Sequence, residues 1–354
     1  MTYKLDEKIL SGEPNQDSTR AGFGRGLVTA ARNDENVVGL CADLTESVQM
    51  HKFAEEFPER FVEIGIAEQN LVTVASGMAH VGKIPFAASY AAFNPGRNWE
   101  QIRTTIALND VPVKIIGSHA GLNVGPDGAT HQMLEDIALM RVLPNMVVIA
   151  PGDAVEAEKV AVACARDSRP NYIRLTREKS PTFSASDAPF EIGRAYILRE
   201  GSDVAICATG TMTAQALIAA AELEKQGISA EIIHVPTIKP LDETTILKSA
   251  RKTGKVITVE EHQIAGGFGS AIAELLSERY HDVIPSTVEE SVQSTKDSSS
   301  SLCSAQNDKF LLHRIGINDQ FGQSGTAEEL LKHYGLTAEN IVSTAIELVQ
   351  NRSN

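Results

Sequence analysis

Short runs of β-branched and aliphatic residues alternate with longer segments of helical composition along most of this chain, and no other feature limits its fold so tightly. Val37-Val38-Gly39-Leu40 is followed by an alanine- and glycine-rich segment over 67–80, then by Val113-Lys114-Ile115-Ile116 and by Met146-Val147-Val148-Ile149. That alternation predicts an α/β fold of mainly parallel sheets covered by helices. Prolines and short polar residues interrupt the rhythm in SPTFSASDAP, which begins at Ser180 and reads as an interdomain linker. Beyond it the pattern resumes: strands over 203–208, 228–235, 255–260 and 310–317, and helices over 213–225, 266–280, 327–334 and 341–350. At about 150 residues per domain, 354 residues make two domains, read as an extension over 1–16, a first domain over 17–180, a linker over 181–190 and a second domain over 191–354. The rhythm fails over 286–304, where eight of nineteen residues are serine. Apolar residues are too sparse there to offset the entropy of ordering, which predicts a mobile surface excursion.

Forty-six acidic against 32 basic residues leave a formal charge of −14. Nucleic acid would be repelled over most of such a surface and is not an expected partner, whereas small anions can still be held by local basic sites. No stretch approaches the roughly 20 apolar residues of a membrane helix, and MTYKLDEKILSGEPNQ lacks the apolar core of a secretory signal. The chain therefore reads as cytoplasmic, with no membrane partner. Cys41, Cys164, Cys207 and Cys303 are scattered, without zinc or disulfide spacing, and read as reduced apolar residues.

Three segments can carry chemistry. In Glu63-Ile64-Gly65-Ile66-Ala67-Glu68-Gln69-Asn70, Glu68 opens a helix apolar on all faces and so expected to be buried. The helix dipole favours its charge while desolvation opposes it, the setting of a carboxyl that can exchange a proton; the plainer reading is a solvent-facing acid at a helix start. Residues 85–99 hold four aromatics in a chain only 5% aromatic, a flat face for a heteroaromatic ring or else domain core or subunit interface. The third segment, 117–132, follows a strong strand, so it lies over the ligand crevice of a parallel sheet and carries His119, Asp127 and His131. Its flexible, glycine-broken course disfavours metal ligation. Gly22-Phe23-Gly24-Arg25-Gly26 lacks the last glycine of a nucleotide loop and no strand precedes it. Gly266-Gly267-Phe268-Gly269 suits close helix packing or an anion at a helix start. Arg20 and Arg177 stand isolated, each by default on a solvated face.

Taken together, 63–70, the aromatic segment through Arg97, and Gly125-Pro126-Asp127-Gly128-Ala129-Thr130-His131-Gln132 resemble transketolase, a thiamine-diphosphate enzyme. The likeness covers nearly the whole chain but only the carboxyl-terminal half of a full-length transketolase: a pyrimidine-binding domain, then a C-terminal domain matched by 266–274 and 315–325. It implies that Glu68 hydrogen-bonds N1′ of the cofactor's aminopyrimidine and promotes the tautomer whose 4′ nitrogen takes the thiazolium C2 proton. Tyr90 and Phe93 would pack on the pyrimidine, Asp43 would stand close to the cofactor, and His119, Asp127 and His131 would hold sugar hydroxyls and shuttle protons. Arg20, Ser47 and Arg177 would grip a sugar phosphate, a task suited to guanidinium forks.

One departure carries weight. The family binds the diphosphate through a metal held by a G-D-G motif, and these 354 residues contain none, the nearest string being Pro151-Gly152-Asp153-Ala154. The resemblance is therefore to the C-terminal subunit of a split transketolase, with no metal ligand of its own. An N-terminal partner carrying G-D-G would supply Mg2+ or Ca2+ and the diphosphate site, in an α2β2 heterotetramer. The implied activity is transfer of a two-carbon ketol unit between sugar phosphates, as in the pentose phosphate pathway. Rival readings are a deoxyxylulose-phosphate synthase-like fragment, the β subunit of a 2-oxo acid dehydrogenase, or a non-catalytic regulatory subunit.

Overall fold

The structure is a computed structural model that describes residues 3–280 and 310–350; the serine-rich stretch 286–304 lies outside the described residues. A seven-stranded sheet runs in the order Thr237–Lys239, Val147–Ile149, Asn171–Arg174, Lys114–Ser118, Ile84–Tyr90, Val37–Cys41, Phe61–Glu63. Its strands are parallel except Thr237–Lys239, which pairs antiparallel with Val147–Ile149. Val37–Cys41, Lys114–Ser118 and Asn171–Arg174 are buried at every position. Sheets covered on both faces favour apolar central residues such as Val37-Val38, Ile115-Ile116 and Tyr172-Ile173, and the polar ends Lys114, Ser118, Asn171 and Arg174 are buried with them. A second sheet of five strands follows the order Leu311–Ile317, Lys255–Gln263, Val204–Ala208, Ala230–His234, Tyr196–Arg199, with Tyr196–Arg199 antiparallel to its neighbour. The predicted α/β class with two mainly parallel, helix-flanked sheets is what the chain adopts. Among the described residues no helix is long and apolar enough to cross a membrane.

Two joints tie the halves together. The Thr237–Lys239 strand belongs by position to the second half yet closes one edge of the first sheet. The polar run expected as a linker is packed rather than loose: Ser180–Pro181 pairs with Gln16–Asp17, and Thr182, Phe183 and Ser184 are buried. Its backbone finds partners because the buried Asp153 carboxylate accepts from Phe183 N at 2.9 Å and Ser184 N at 2.7 Å. The same carboxylate caps the Ala154–Arg166 helix through Glu156 N, so Gly152-Asp153 is a capping device.

Both glycine strings find structural roles. Gly22, Gly24 and Gly26 lie inside the helix Thr19–Asn33, where a Cβ at Gly22 would come within 1.9 Å of the Ala154 carbonyl oxygen and one at Gly26 within 2.3 Å of that of Glu158. Gly22 and Gly26 let this helix press against Ala154–Arg166, while Gly24 leaves room for the Gln49 carbonyl. At the other string, the group seated at the start of the helix Phe268–Arg279 is the chain's own Glu260 carboxyl, which accepts from Phe268 N at 2.6 Å and Gly269 N at 2.7 Å. Burial pushes the Glu260 carboxyl up to about 8 against these bonds, which favour its charge.

Candidate active site

The carboxyl ends of four adjacent parallel strands, Lys114–Ser118, Ile84–Tyr90, Val37–Cys41 and Phe61–Glu63, lead into His119, Tyr90 with Phe93, Asp43 and Glu68. Open parallel sheets bind ligands at this edge. Asp43 and His119 hold left-handed φ of 58° and 57°, a conformation that costs non-glycine residues energy and concentrates at functional sites.

Glu68 is the first residue of the helix Glu68–His80 and is 2% exposed. The helix is not buried all round as its composition suggested: Leu71, Val72, Ala75 and Ala79 face the core, whereas Gln69, Asn70, Gly77 and His80 are exposed, as are the flanking Ile66 and Val81. Gln69, Asn70, Thr73 and His80 recur at helical spacing and mark the outward side, a stripe that the overall apolar composition obscured. The Glu68 carboxylate accepts from Arg97 at 2.6 Å, and Asn98 Nδ2 donates to the Glu68 carbonyl at 2.8 Å.

Beside Glu68 lies a set of rings. Tyr90 and Phe93 stack with centroids 6.4 Å apart and planes 15° apart, and the His119 imidazole stacks on Tyr90 at 3.8 Å. His131 meets Phe93 edge-on at 5.5 Å. His119 is 2% exposed, and burial, reinforced by the Arg20 and Arg177 charges, lowers its imidazole to about 3. We expect it to stay neutral throughout about pH 5–8, so that its ring resonances stand still in an NMR titration while exposed histidines shift. An unfolded histidine takes up its proton near about pH 6.5. This group therefore withdraws stability from the fold as pH falls below that value towards 3.

Arg20, Ser47 and Arg177 meet, though not through all their side chains. Arg20 Nη1 donates to the Ser47 carbonyl at 2.6 Å and Arg20 Nε to the Arg177 carbonyl at 3.0 Å. Burial, then the Arg177 charge, lowers the Arg20 guanidinium from its ordinary value. Arg177 donates to the Val124 carbonyl at 2.8 Å and lies 3.5 Å from Asp127. Both arginines line a cavity of about 640 Å³ with Ser18, Asn123 and Thr326. Lys179, Glu178 and Glu328 line the same cavity, and Arg177 also pairs with Glu178 at 3.5 Å, so the basic side chains there face acidic neighbours.

Several residues at this edge escaped the sequence reading. Glu63 accepts from Asp43 N at 2.7 Å, Gly65 N at 2.9 Å and Thr45 Oγ1 at 3.1 Å, so one carboxylate shapes the loop of Asp43 and the turn into Glu68. Asn94 Nδ2 donates to the carbonyls of Ala87 and Ile116 at 3.0 and 3.1 Å, and its Oδ1 accepts from Asn98 at 3.0 Å. These partners lie far apart in sequence; only the crowding of Asn94 and Asn98 around Pro95-Gly96 marked a special turn. Among the described residues no group of three or more His, Cys, Asp or Glu is placed to hold a metal.

The chain belongs to the transketolase family. Residues 16–182 match "Transketolase, pyrimidine binding domain" and 193–300 match "Transketolase, C-terminal domain". A transketolase C-terminal section from Methanocaldococcus jannaschii is 44% identical, over 93% of this chain and 95% of its own length. The 6-deoxy-6-sulfo-D-fructose transketolase subunit SqwH of Clostridium sp. is 36% identical, over 92% and 93%. Among solved structures, a split gene transketolase, an inactive beta4 tetramer, is 42% identical with a TM-score of 0.81, covering 94% of this chain and 98% of that one. The chain is thus the C-terminal section of a split transketolase, as the resemblance implied. A pyrimidine-binding domain of this family implies thiamine diphosphate as cofactor, and a split section implies an N-terminal partner subunit.

Proposed function

We propose that this subunit, joined to an N-terminal transketolase subunit carrying the G-D-G motif, transfers a two-carbon ketol unit from a ketose phosphate to an aldose phosphate. The observation that carries the reading is a buried carboxylate at a helix start, Glu68, beside the stacked pair Tyr90 and Phe93 at the carboxyl edge of a parallel sheet. This donor set suits an aminopyrimidine, which needs a flat apolar face and an acceptor at one ring edge. Thiamine diphosphate, when bound, supplies the nucleophilic carbon that carries the two-carbon unit. Glu68 holds the pyrimidine edge and its proton, Tyr90 and Phe93 orient the ring, and Asp43 stands close to it. His131 exchanges protons with substrate oxygens, and His119, kept neutral by burial next to two arginines, serves them as a hydrogen-bond partner. Asp127 takes sugar hydroxyls, and Arg20 and Arg177, with Ser47, take the phosphate. The partner would contribute Mg2+ or Ca2+ and the diphosphate contacts, with two such pairs forming the assembly.

Co-expression with that partner tests the reading. Xylulose 5-phosphate and ribose 5-phosphate should be converted by the complex and by neither chain alone. Turnover by this chain alone would refute the shared site, and use of pyruvate as donor would favour the deoxyxylulose-phosphate synthase-like alternative. The 6-deoxy-6-sulfo-D-fructose subunit among the relatives makes a sulfonated ketose a sensible second donor to compare.

A further inference from the structure

We infer that Arg97 is the positioning residue of Glu68, the side chain that sets where the pyrimidine-facing carboxylate stands. The inference rests on the role proposed for Glu68 above and adds to it a residue with no assigned part.

The guanidinium makes two contacts at once. Its Nη1 donates to Glu68 Oε2 at 2.6 Å, and its Cζ lies 4.7 Å from the centre of the Phe93 ring. One cation thus links the acceptor for the pyrimidine edge to the platform for the pyrimidine face, through a charge-assisted hydrogen bond and a cation–π contact. By occupying Oε2 it leaves Oε1 for a second donor.

Arg97 is aimed from a rigid base. Its own N donates to the Phe93 carbonyl at 3.1 Å. The neighbouring Asn98 holds the Glu68 carbonyl at 2.8 Å and Asn94 at 3.0 Å, and Asn94 is tied to the Ile84–Tyr90 and Lys114–Ser118 strands through Ala87 and Ile116. The turn is therefore fastened both to the sheet and to the backbone of the residue it serves. Glu68 is 2% exposed while the Arg97 side chain is 47% exposed. The carboxylate has little solvent to charge-balance it, whereas the arginine keeps much of its hydration, so the pairing matters chiefly to the acid.

The test compares Arg97→Met, Arg97→Lys and Glu68→Gln in the assembled two-subunit enzyme. Met keeps the aliphatic stem without the charge or donor; Lys can restore a single donor and a cation over Phe93. Arg97→Met should lower kcat by roughly 10²-fold, the scale of a misplaced catalytic group, with the KM for the sugar phosphates within about threefold. It should also weaken thiamine diphosphate binding, measured by titration calorimetry, by roughly tenfold, the scale of one hydrogen bond to a charged group. Arg97→Lys should recover most of both losses. Normal kcat and cofactor affinity in Arg97→Met, with Glu68→Gln inactive, would overturn this inference and leave the role of Glu68 standing. Equal losses in Met and Lys variants, accompanied by a lowered melting temperature, would overturn it in favour of a purely structural residue. An active Glu68→Gln enzyme would remove the reading on which the inference depends.

Discussion

Glu68→Ala should abolish ketol transfer in the assembled enzyme while the chain still folds. A single proton-handling side chain contributes about 10²- to 10⁴-fold to rate, and in the proposed role the same carboxylate also holds the edge of the cofactor's ring. The fold should tolerate the change because the partner left behind, Arg97, is 47% exposed and can turn to water. The helix start also keeps its tie to Asn98, which holds the Glu68 carbonyl rather than its side chain. Steady-state turnover with xylulose 5-phosphate and ribose 5-phosphate, beside a thermal melt of the variant, measures both halves of the expectation. Near-normal turnover would sink the proposed role.

The largest stability loss is expected at Arg174→Met. Arg174 and Asp136 are 6% and 0% exposed and meet at 2.8 Å, with the Tyr172 hydroxyl donating to the same Asp136 oxygen at 2.7 Å. Arg174 also donates to the Glu261 carbonyl at 2.8 Å, linking the two sheets, and its charge holds down the Glu261 carboxyl that burial raises to about 7. Removing one partner of a buried pair costs about 3–5 kcal/mol because the other charge is left uncompensated. Denaturant unfolding should show a loss of that size, and Asp136→Asn in the Arg174→Met background should recover part of it by removing the stranded charge. If the double variant were no more stable than the single one, the loss would have to be ascribed to packing instead.

Periodicity revealed much of the second half of the chain: strands expected over 203–208 and 255–260 are Val204–Ala208 and Lys255–Gln263, and the helix expected over 213–225 is Met212–Lys225. These elements have uniform faces and ordinary propensities. The same periodicity missed the strands Tyr196–Arg199 and Thr237–Lys239 and the helix Glu243–Thr253. The central strand Ile84–Tyr90 registered only as an aromatic cluster, because Pro85 and paired alanines depress strand propensity and tertiary pairing on both sides overrides it. The helix Thr19–Asn33 was hidden by the glycines that its contact with Ala154–Arg166 requires. At the site, the candidate residue types and their places after strands were legible in the sequence, as was the position of Glu68 at a helix start. The contacts that aim them were not. Glu63, Asn94 and Asn98 act on partners brought close by the sheet, and Arg97 meets a carboxylate 29 residues away. No local pattern encodes such pairs.

The strand Thr237–Lys239 bears on how the chain is made. During synthesis from the amino terminus, the first sheet must wait with its Val147–Ile149 edge bare until residue 239 has left the ribosome. An uncovered parallel edge is a template for pairing with another chain. A ribosome stalled between the two halves would thus release a sticky intermediate, and separating them by a cut after residue 190 would not yield two self-sufficient pieces. The first sheet is thus completed only by a strand from the second half of the chain.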